Sequence, residues 1–191
     1  EILVDTVLKY LPEDVRLLDM CTGSGCILLS IMAHKRTAMG HGVDVSLEAL
    51  KVAMENERCI REMDRYEYLD AGGPLVVWTC SNLFENLTGT YDVIVSNPPY
   101  IPSAQIPELM TEVRAHEPYM ALDGKEDGLF FYREIIARAR DFLSANGMIF
   151  FEIGWDQAEA VSELLKNAGF NQIQVRRDLA GLDRVVFASM N

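Results

Sequence analysis

The chain has 191 residues, 49% hydrophobic and 24% charged, which fits one globular domain whose core needs neither disulfides nor metal. Its 29 acidic residues against 17 basic ones give a formal charge of −12. That weighs against a non-specific binder of nucleic acid or of an anionic membrane, since both need a basic face. No apolar run approaches the roughly 20 residues of a membrane-spanning helix. Cys21, Cys26, Cys59 and Cys80 show no metal-ligand spacing and sit in or beside apolar runs, so they read as small hydrophobes in a reducing cytoplasm. The chain begins at Glu1 inside a helical pattern and reads as a piece of a longer protein.

In chain order, Ile2, Leu3, Val7, Leu8 and Leu11 mark a first helix that Pro12 helps to stop. Residues 15–20 read as a strand and 26–35 as the helix after it. A second strand at 41–45 leads to Ser46, which caps a helix carrying Leu47, Leu50 and Ala53 toward the core. Residues 58–74 are polar and end in Gly72-Gly73-Pro74, a loop signal, before strands at 75–80 and 91–96. Between 97 and 127 the periodicity breaks, with five prolines, and an irregular stretch that long inside a compact domain is usually functional. A helix over 128–145 closed by Gly147, a strand at 148–153, a helix capped by Asp156 and ended at Gly169, and strands at 170–176 and 184–189 complete the chain.

Connection lengths decide the topology. Each strand up to the sixth is separated from the next by enough residues for a crossover, which permits parallel strands with helices on both faces. Only residues 178–183 join the last two strands, fewer than the ~10–12 of a crossover, so these two form an antiparallel hairpin. The expectation is an α/β, doubly wound, seven-stranded sheet finished by a reversed edge strand, the arrangement of class I S-adenosylmethionine-dependent methyltransferases.

The turn after the first strand reads Asp19-Met20-Cys21-Thr22-Gly23-Ser24-Gly25-Cys26. Glycines there let backbone approach a ligand closely, and the following helix N-terminus favours a negative group, such as a methionine carboxylate. Leu28 stands where a dinucleotide fingerprint has its third glycine. Asp44, ending the second strand, is placed to accept from both hydroxyls of a ribose; a capping or merely exposed aspartate is the alternative. Asn82 and Leu83, after the third strand, suit an adenine ring, with Leu83 on its face and the Asn82 oxygen accepting from its amine; a plain turn asparagine suits the spacing equally.

Ser96-Asn97-Pro98-Pro99-Tyr100 leaves the fourth strand at the carboxyl edge of the sheet. Two prolines stop a strand well, which is one reading. They also fix the backbone and leave carbonyls free to accept, Asn97 adds a carbonyl oxygen, and Tyr100 offers a flat face. Two acceptors and a stacking face suit an uncharged planar –NH₂ held in line with a methyl donor, with orientation and desolvation supplying most of the catalysis.

Asn-Pro-Pro-Tyr is shared by N6-adenine DNA methyltransferases and protein glutamine methyltransferases, so the tetrapeptide does not choose between them. The wider sequence resembles the HemK (PrmC) type release factor glutamine methyltransferases. The resemblance rests on Leu18-Asp19-Met20-Cys21-Thr22-Gly23-Ser24-Gly25, Val95-Ser96-Asn97-Pro98-Pro99-Tyr100-Ile101-Pro102 and Glu117-Pro118-Tyr119-Met120-Ala121-Leu122-Asp123-Gly124. Asp127-Gly128-Leu129, Phe151-Glu152-Ile153-Gly154 with Gln157, and Arg177-Asp178-Leu179-Ala180-Gly181 before Asp183-Arg184 extend it along nearly the whole chain.

The resemblance implies S-adenosylmethionine-dependent methylation of the side-chain amide nitrogen (N5) of the Gly-Gly-Gln glutamine in class I peptide chain release factors, in the cytoplasm, with no direct nucleic-acid or membrane partner. It carries cofactor binding onto Cys21, Thr22, Gly23, Ser24, Gly25, Asp44 and Leu83, and glutamine binding onto Asn97, Pro98, Pro99 and Tyr100, with Asn97 also near the cofactor. Cys21 stands where many members have glycine, so the turn must tolerate a side chain there. Asn82 replaces a frequent aspartate, which alters the adenine contact without removing an acceptor. Glu1 falls just after the family's Pro-Arg-Pro-x-Thr segment and its helical substrate-docking domain, so the whole chain reads as the methyltransferase domain. Residues 101–127 are then a lid or wall around the target glutamine. Glu117, Asp127 and Glu152 are either polar contacts there or solvated carboxylates. The Arg176-Arg177 pair reads as an exposed edge or a contact for an acidic partner, and His34, His41 and His116 form no ligand set.

Overall fold

A computed structural model describes residues 1–12, 14–34, 39–62, 75–110 and 118–191. The element order is α1 (Ile2–Tyr10), β1 (Arg16–Met20), α2 (Cys26–His34), β2 (Met39–Asp44), α3 (Leu47–Arg61), β3 (Val76–Cys80) and β4 (Tyr91–Ser96). A 3₁₀ segment (Ser103–Glu108) follows, then α4 (Tyr119–Leu122), α5 (Phe130–Phe142), β5 (Leu143–Glu152), α6 (Ala158–Asn167), β6 (Asn171–Arg177) and β7 (Asp183–Ser189). Among the described residues no helix is long and apolar enough to cross a membrane, and no cluster of His, Cys, Asp or Glu could hold a metal ion.

The seven strands form one sheet in the order β3-β2-β1-β4-β5-β7-β6. β1 pairs in parallel with both β2 and β4, and β7 runs antiparallel to both β5 and β6. The doubly wound sheet with an antiparallel last strand is therefore present. However, that strand is not at the edge: β7 inserts between β5 and β6, and β6 takes the edge. Burial explains the placement. Val185, Val186, Phe187 and Ala188 are all fully buried and need a helix layer on each face, whereas β6 is largely exposed.

Alternate residues of the central strands feed two cores. Leu17, Val93, Val95, Phe150, Val185 and Phe187 face α1 and α2, against Leu3, Val7, Leu28 and Ile31. Leu18, Ile94, Ile149, Phe151 and Val186 face α5 and α6, against Tyr132, Ile135, Ile136, Val161 and Leu165. Burial of an aliphatic or aromatic side chain contributes about 1.5–3 kcal/mol, so this double layer makes a stiff frame for the loops at its edge.

Several boundaries depart from the sequence expectation. α5 stops at Phe142 rather than near Gly147, because Leu143 turns extended and pairs with Tyr91 while the Ser144 hydroxyl donates to Asp92 at 2.8 Å. α3 continues through residues 58–61, where Arg58 and Arg61 pair with Glu55, Glu57 and Glu62 along one helix. Leu47 is exposed, and only Leu50 and Ala53 of the expected trio are buried. Ser46 caps α3 by accepting from Ala49 N–H at 3.2 Å, as its position predicts. Asp156 does not cap α6; the N-cap position falls to Gln157, whose side chain makes no capping bond. Gly169 follows that helix with φ +80°, the left-handed turn expected of it. Cys26, Cys59 and Cys80 are exposed and only Cys21 is partly buried, so most cysteines are not core hydrophobes. The expected loop at Gly72-Gly73-Pro74, the helix end at Lys35, and the readings of His116 and Glu117 lie outside the described residues.

Candidate active site

Chain direction creates the site. From β1 the chain winds outward through β2 to β3, then returns to lay β4 on the other side of β1. The loops after β1 and β4 therefore diverge over opposite faces, leaving a crevice at the carboxyl ends of the strands. A cavity of about 440 Å³ occupies it, lined at one end by Cys21, Thr22, Gly23, Ser24 and Asp44. Asn82, Leu83, Asn97 and Pro99 complete its other walls, with Pro118, Met120, Ala121 and Phe131 above them.

The turn after β1 is held from below and from the side. Asp19, fully buried at the end of β1, accepts from the Thr22 hydroxyl at 2.6 Å and from Leu28 N–H at 3.3 Å. Burial raises its pKa to about 7, only partly offset by those two bonds, and its Oδ1 has no partner among the described residues. Asp19 is the structural residue that the sequence reading left without a role. Asp44 Oδ2 accepts from Gly23 N–H at 2.9 Å and Oδ1 from Ser46 N–H at 2.9 Å, so one carboxylate ties the β1 and β2 turns together. Ser46 supplies the helix cap, which removes capping as the explanation for Asp44.

The two glycines of the turn do different work. A Cβ on Gly23, at φ +56°, would meet nothing within 4 Å, so its absence leaves backbone open to the cavity. A Cβ on Gly25 would lie 2.6 Å from the Trp78 ring, and Gly25 is not among the lining residues; its hydrogen makes room for packing. Cys21 adopts φ +59°, a conformation that favours glycine, and lines the cavity with a thiol whose pKa burial pushes up. Leu83 also has a positive φ of 50°, at the far wall. Asn82 donates through Nδ2 to Glu85 at 2.8 Å, an orientation that leaves its oxygen as the acceptor.

On the other side, the buried Ser96 hydroxyl donates to the Met20 carbonyl at 2.6 Å, joining the ends of β4 and β1 just before Asn97. Asn97 and Pro99 line the cavity, while Pro98 is buried and Tyr100 is not a lining residue. Tyr100 is half-buried and packs against the core, where burial foremost and the nearby Glu152 raise its phenol pKa. Residues 122–124 run alongside Ile101: Ile101 N–H donates to Leu122 O at 3.1 Å and Gly124 N–H to Ile101 O at 2.8 Å. Asp123 accepts from the Ser103 hydroxyl and from Lys125 Nζ, which fixes the same crossing. This wall brings Pro118, Met120 and Ala121 over the cavity.

The remaining polar candidates resolve into structure. Asp127 accepts from both Arg133 nitrogens at 2.8 and 2.9 Å and from Leu129 N–H, and Arg133 pulls its pKa down to about 2. Glu152 lies outside the cavity lining, its pKa raised by burial. Arg177 pairs with Asp183, and Arg176 is exposed. His34 bonds the Ser30 carbonyl, while His41 bonds Tyr91 and Thr79 inside the sheet.

One cavity thus brings together the N-terminal backbone of α2, a carboxylate with two fixed oxygens, an apolar face beside an amide oxygen, and Asn97. The first three suit an elongated ligand with an anionic end, a diol and a flat base.

Known proteins resemble this chain in sequence and in fold. The chain is 41% identical over 193 residues to the release factor glutamine methyltransferase of Caulobacter vibrioides, an alignment that includes 100% of this chain and 64% of that relative. It thus spans somewhat less than two thirds of that relative's length. A solved protein-(glutamine-N5) methyltransferase (release factor-specific) from Alicyclobacillus acidocaldarius superposes with a TM-score of 0.55 at 27% identity, covering 98% of this chain and 89% of that one. A methyltransferase from Pyrococcus furiosus shares the fold at a TM-score of 0.68 and 16% identity, covering 100% of this chain and 80% of that one. The profile of the methyltransferase small domain matches residues 1–116, more than half of the sequence, and the chain belongs to that family.

Proposed function

We propose that the protein transfers a methyl group from S-adenosylmethionine to the side-chain amide nitrogen of the glutamine in the Gly-Gly-Gln motif of class I peptide chain release factors. The observation that carries this reading is the opening of Asn97 and Pro99 onto the same cavity as Gly23, Asp44 and Leu83. The likeness to release factor glutamine methyltransferases over the full chain supports the choice of substrate.

S-adenosylmethionine supplies an electrophilic methyl group on a sulfonium centre. Backbone at the start of α2 receives the amino-acid end of that molecule, the Asp44 oxygens accept from the ribose hydroxyls, and Leu83 with the Asn82 oxygen holds the adenine. The Asn97 oxygen and a carbonyl of the proline pair accept the two hydrogens of the glutamine –NH₂. That grip fixes the amide plane and shifts electron density toward nitrogen, whose lone pair is otherwise delocalised. Among the described residues no hydrogen bond competes for the Asn97 side chain. Pro118, Met120 and Phe131 give the same cavity an apolar wall beside these polar groups. The surplus proton leaves to solvent after transfer, so no strong base is required.

Full-length protein with radiolabelled S-adenosylmethionine should label a class I release factor at that glutamine, and not duplex DNA. Label in adenine of the DNA, or none in the release factor, overturns the proposal.

A further inference from the structure

We infer that Gln157 is the positioning residue that aims the Asn97 corner at the cavity, an inference that rests on the methyl-transfer reading above. Its side chain is buried, at 8% exposure, and both ends are fully engaged. Nε2 donates to the Tyr100 carbonyl at 3.0 Å and to the Gly128 carbonyl at 3.3 Å. Oε1 accepts from Gly154 N–H at 3.0 Å and lies 3.5 Å from the Tyr132 hydroxyl, which itself donates to the Glu152 carbonyl at 2.8 Å. One amide therefore joins the end of the 97–100 corner, the start of the α5 segment and the turn after β5.

The local cost points the same way. Gln157 occupies the N-cap position of α6, where Ser, Thr, Asp or Asn would satisfy the helix, yet its side chain makes no capping bond. A residue chosen against its local preference, with its amide nitrogen spent on backbone 57 and 29 residues away, marks a position fixed by the site. Two glycines complete the clamp: a Cβ on Gly124 would lie 2.8 Å from Tyr100 backbone, and one on Gly128 would lie 2.3 Å from the Tyr100 carbonyl oxygen. Tyr100 backbone is thus closely packed by Gly124, Gly128 and Gln157, and Asn97 stands three residues upstream of that contact, between it and the Ser96 anchor.

The test is Gln157→Glu, which keeps size and shape but turns an oxygen toward two carbonyls. In the full-length protein its kcat toward a release factor should fall about 100-fold at neutral pH, the scale of an ångström-sized misplacement. The dissociation constant for S-adenosylmethionine, read by calorimetry, should stay within about threefold, because the cofactor residues lie on other loops. Activity should partly return at acidic pH, where a neutral carboxyl regains a donor for the Tyr100 carbonyl. Unchanged kcat, or parallel loss of cofactor affinity and turnover, would overturn the inference. Should Gln157→Glu fail to fold, Gln157→Met, with the length but no donor, is judged by the same split. A wild-type protein that labels no release factor defeats the function itself; a defect confined to the variants, or its absence, speaks only to Gln157.

Discussion

Gly23 and Asp44, on the side of the cavity proposed to hold the cofactor, are joined directly, N–H to carboxylate, across two adjacent strand ends 21 residues apart. Asn97 and Pro99 on the opposite side depend on Gln157, which bonds Tyr100 from 57 residues away, and on Gly128 and Gly124 packed against the same backbone. The first wall is a set of tight turns, each carrying its own reason to bend. The second is an irregular segment given its shape by the elements behind it. A wall of the first kind tolerates distant change and fails locally, whereas the second fails from a distance.

The comparison breaks most visibly at Asn97. Asn97→Ala should reduce methyl transfer about 100- to 1,000-fold, as for loss of one aimed transition-state hydrogen bond, while calorimetry finds cofactor affinity nearly unchanged. Equal losses in both would merge the two walls into one. Asp44→Ala is the mirror experiment: cofactor affinity should weaken about 10- to 100-fold, the scale of a lost charge-assisted bond, with turnover per bound cofactor largely kept.

Within the cofactor wall, Gly25→Ala and Gly23→Ala sharpen the contrast between packing and access. Gly25→Ala should cost about 2–5 kcal/mol in denaturant unfolding, since its φ of +76° is also left-handed and the new methyl meets Trp78 as well. Gly23→Ala should cost about 1–2 kcal/mol from its left-handed backbone alone, yet weaken cofactor binding more, because its methyl projects into the cavity.

A prediction of a different kind, read from the pH dependence of stability, concerns Asp19. Its folded pKa of about 7 lies above the ordinary 3.8, so the folded state holds a proton that the unfolded chain releases in that window. Stability therefore declines as pH rises from about 4 to about 7. Asp19→Asn keeps an oxygen for Thr22 and Leu28 N–H and should flatten that slope, making the variant relatively more stable at pH 8 in thermal melts. A slope unchanged by the substitution would remove Asp19 as its source.

The alternation of β-branched runs with amphipathic ones, the glycines after β1, Asp44 and the proline pair were legible in the chain because each follows from local chemistry. Periodicity sets strand and helix, glycine permits a left-handed turn, and proline ends a ladder. Even the reversed strand followed from a short connection. What the chain did not disclose was position across the sheet. β7 lies inside rather than at the edge because its four consecutive apolar residues need cover on both faces, a demand met only when the helices are in place. The separate duties of Gly23 and Gly25, the packing of Tyr100 against the core, the buried acid at Asp19 and the clamp at Gln157 likewise depend on which neighbours arrive from elsewhere. Sequence alone determined most of the strands and longer helices and the order of the chemical groups. Tertiary packing decided which of those groups open to the cavity, because a side chain's direction is fixed by everything that presses on it and not by the residues beside it.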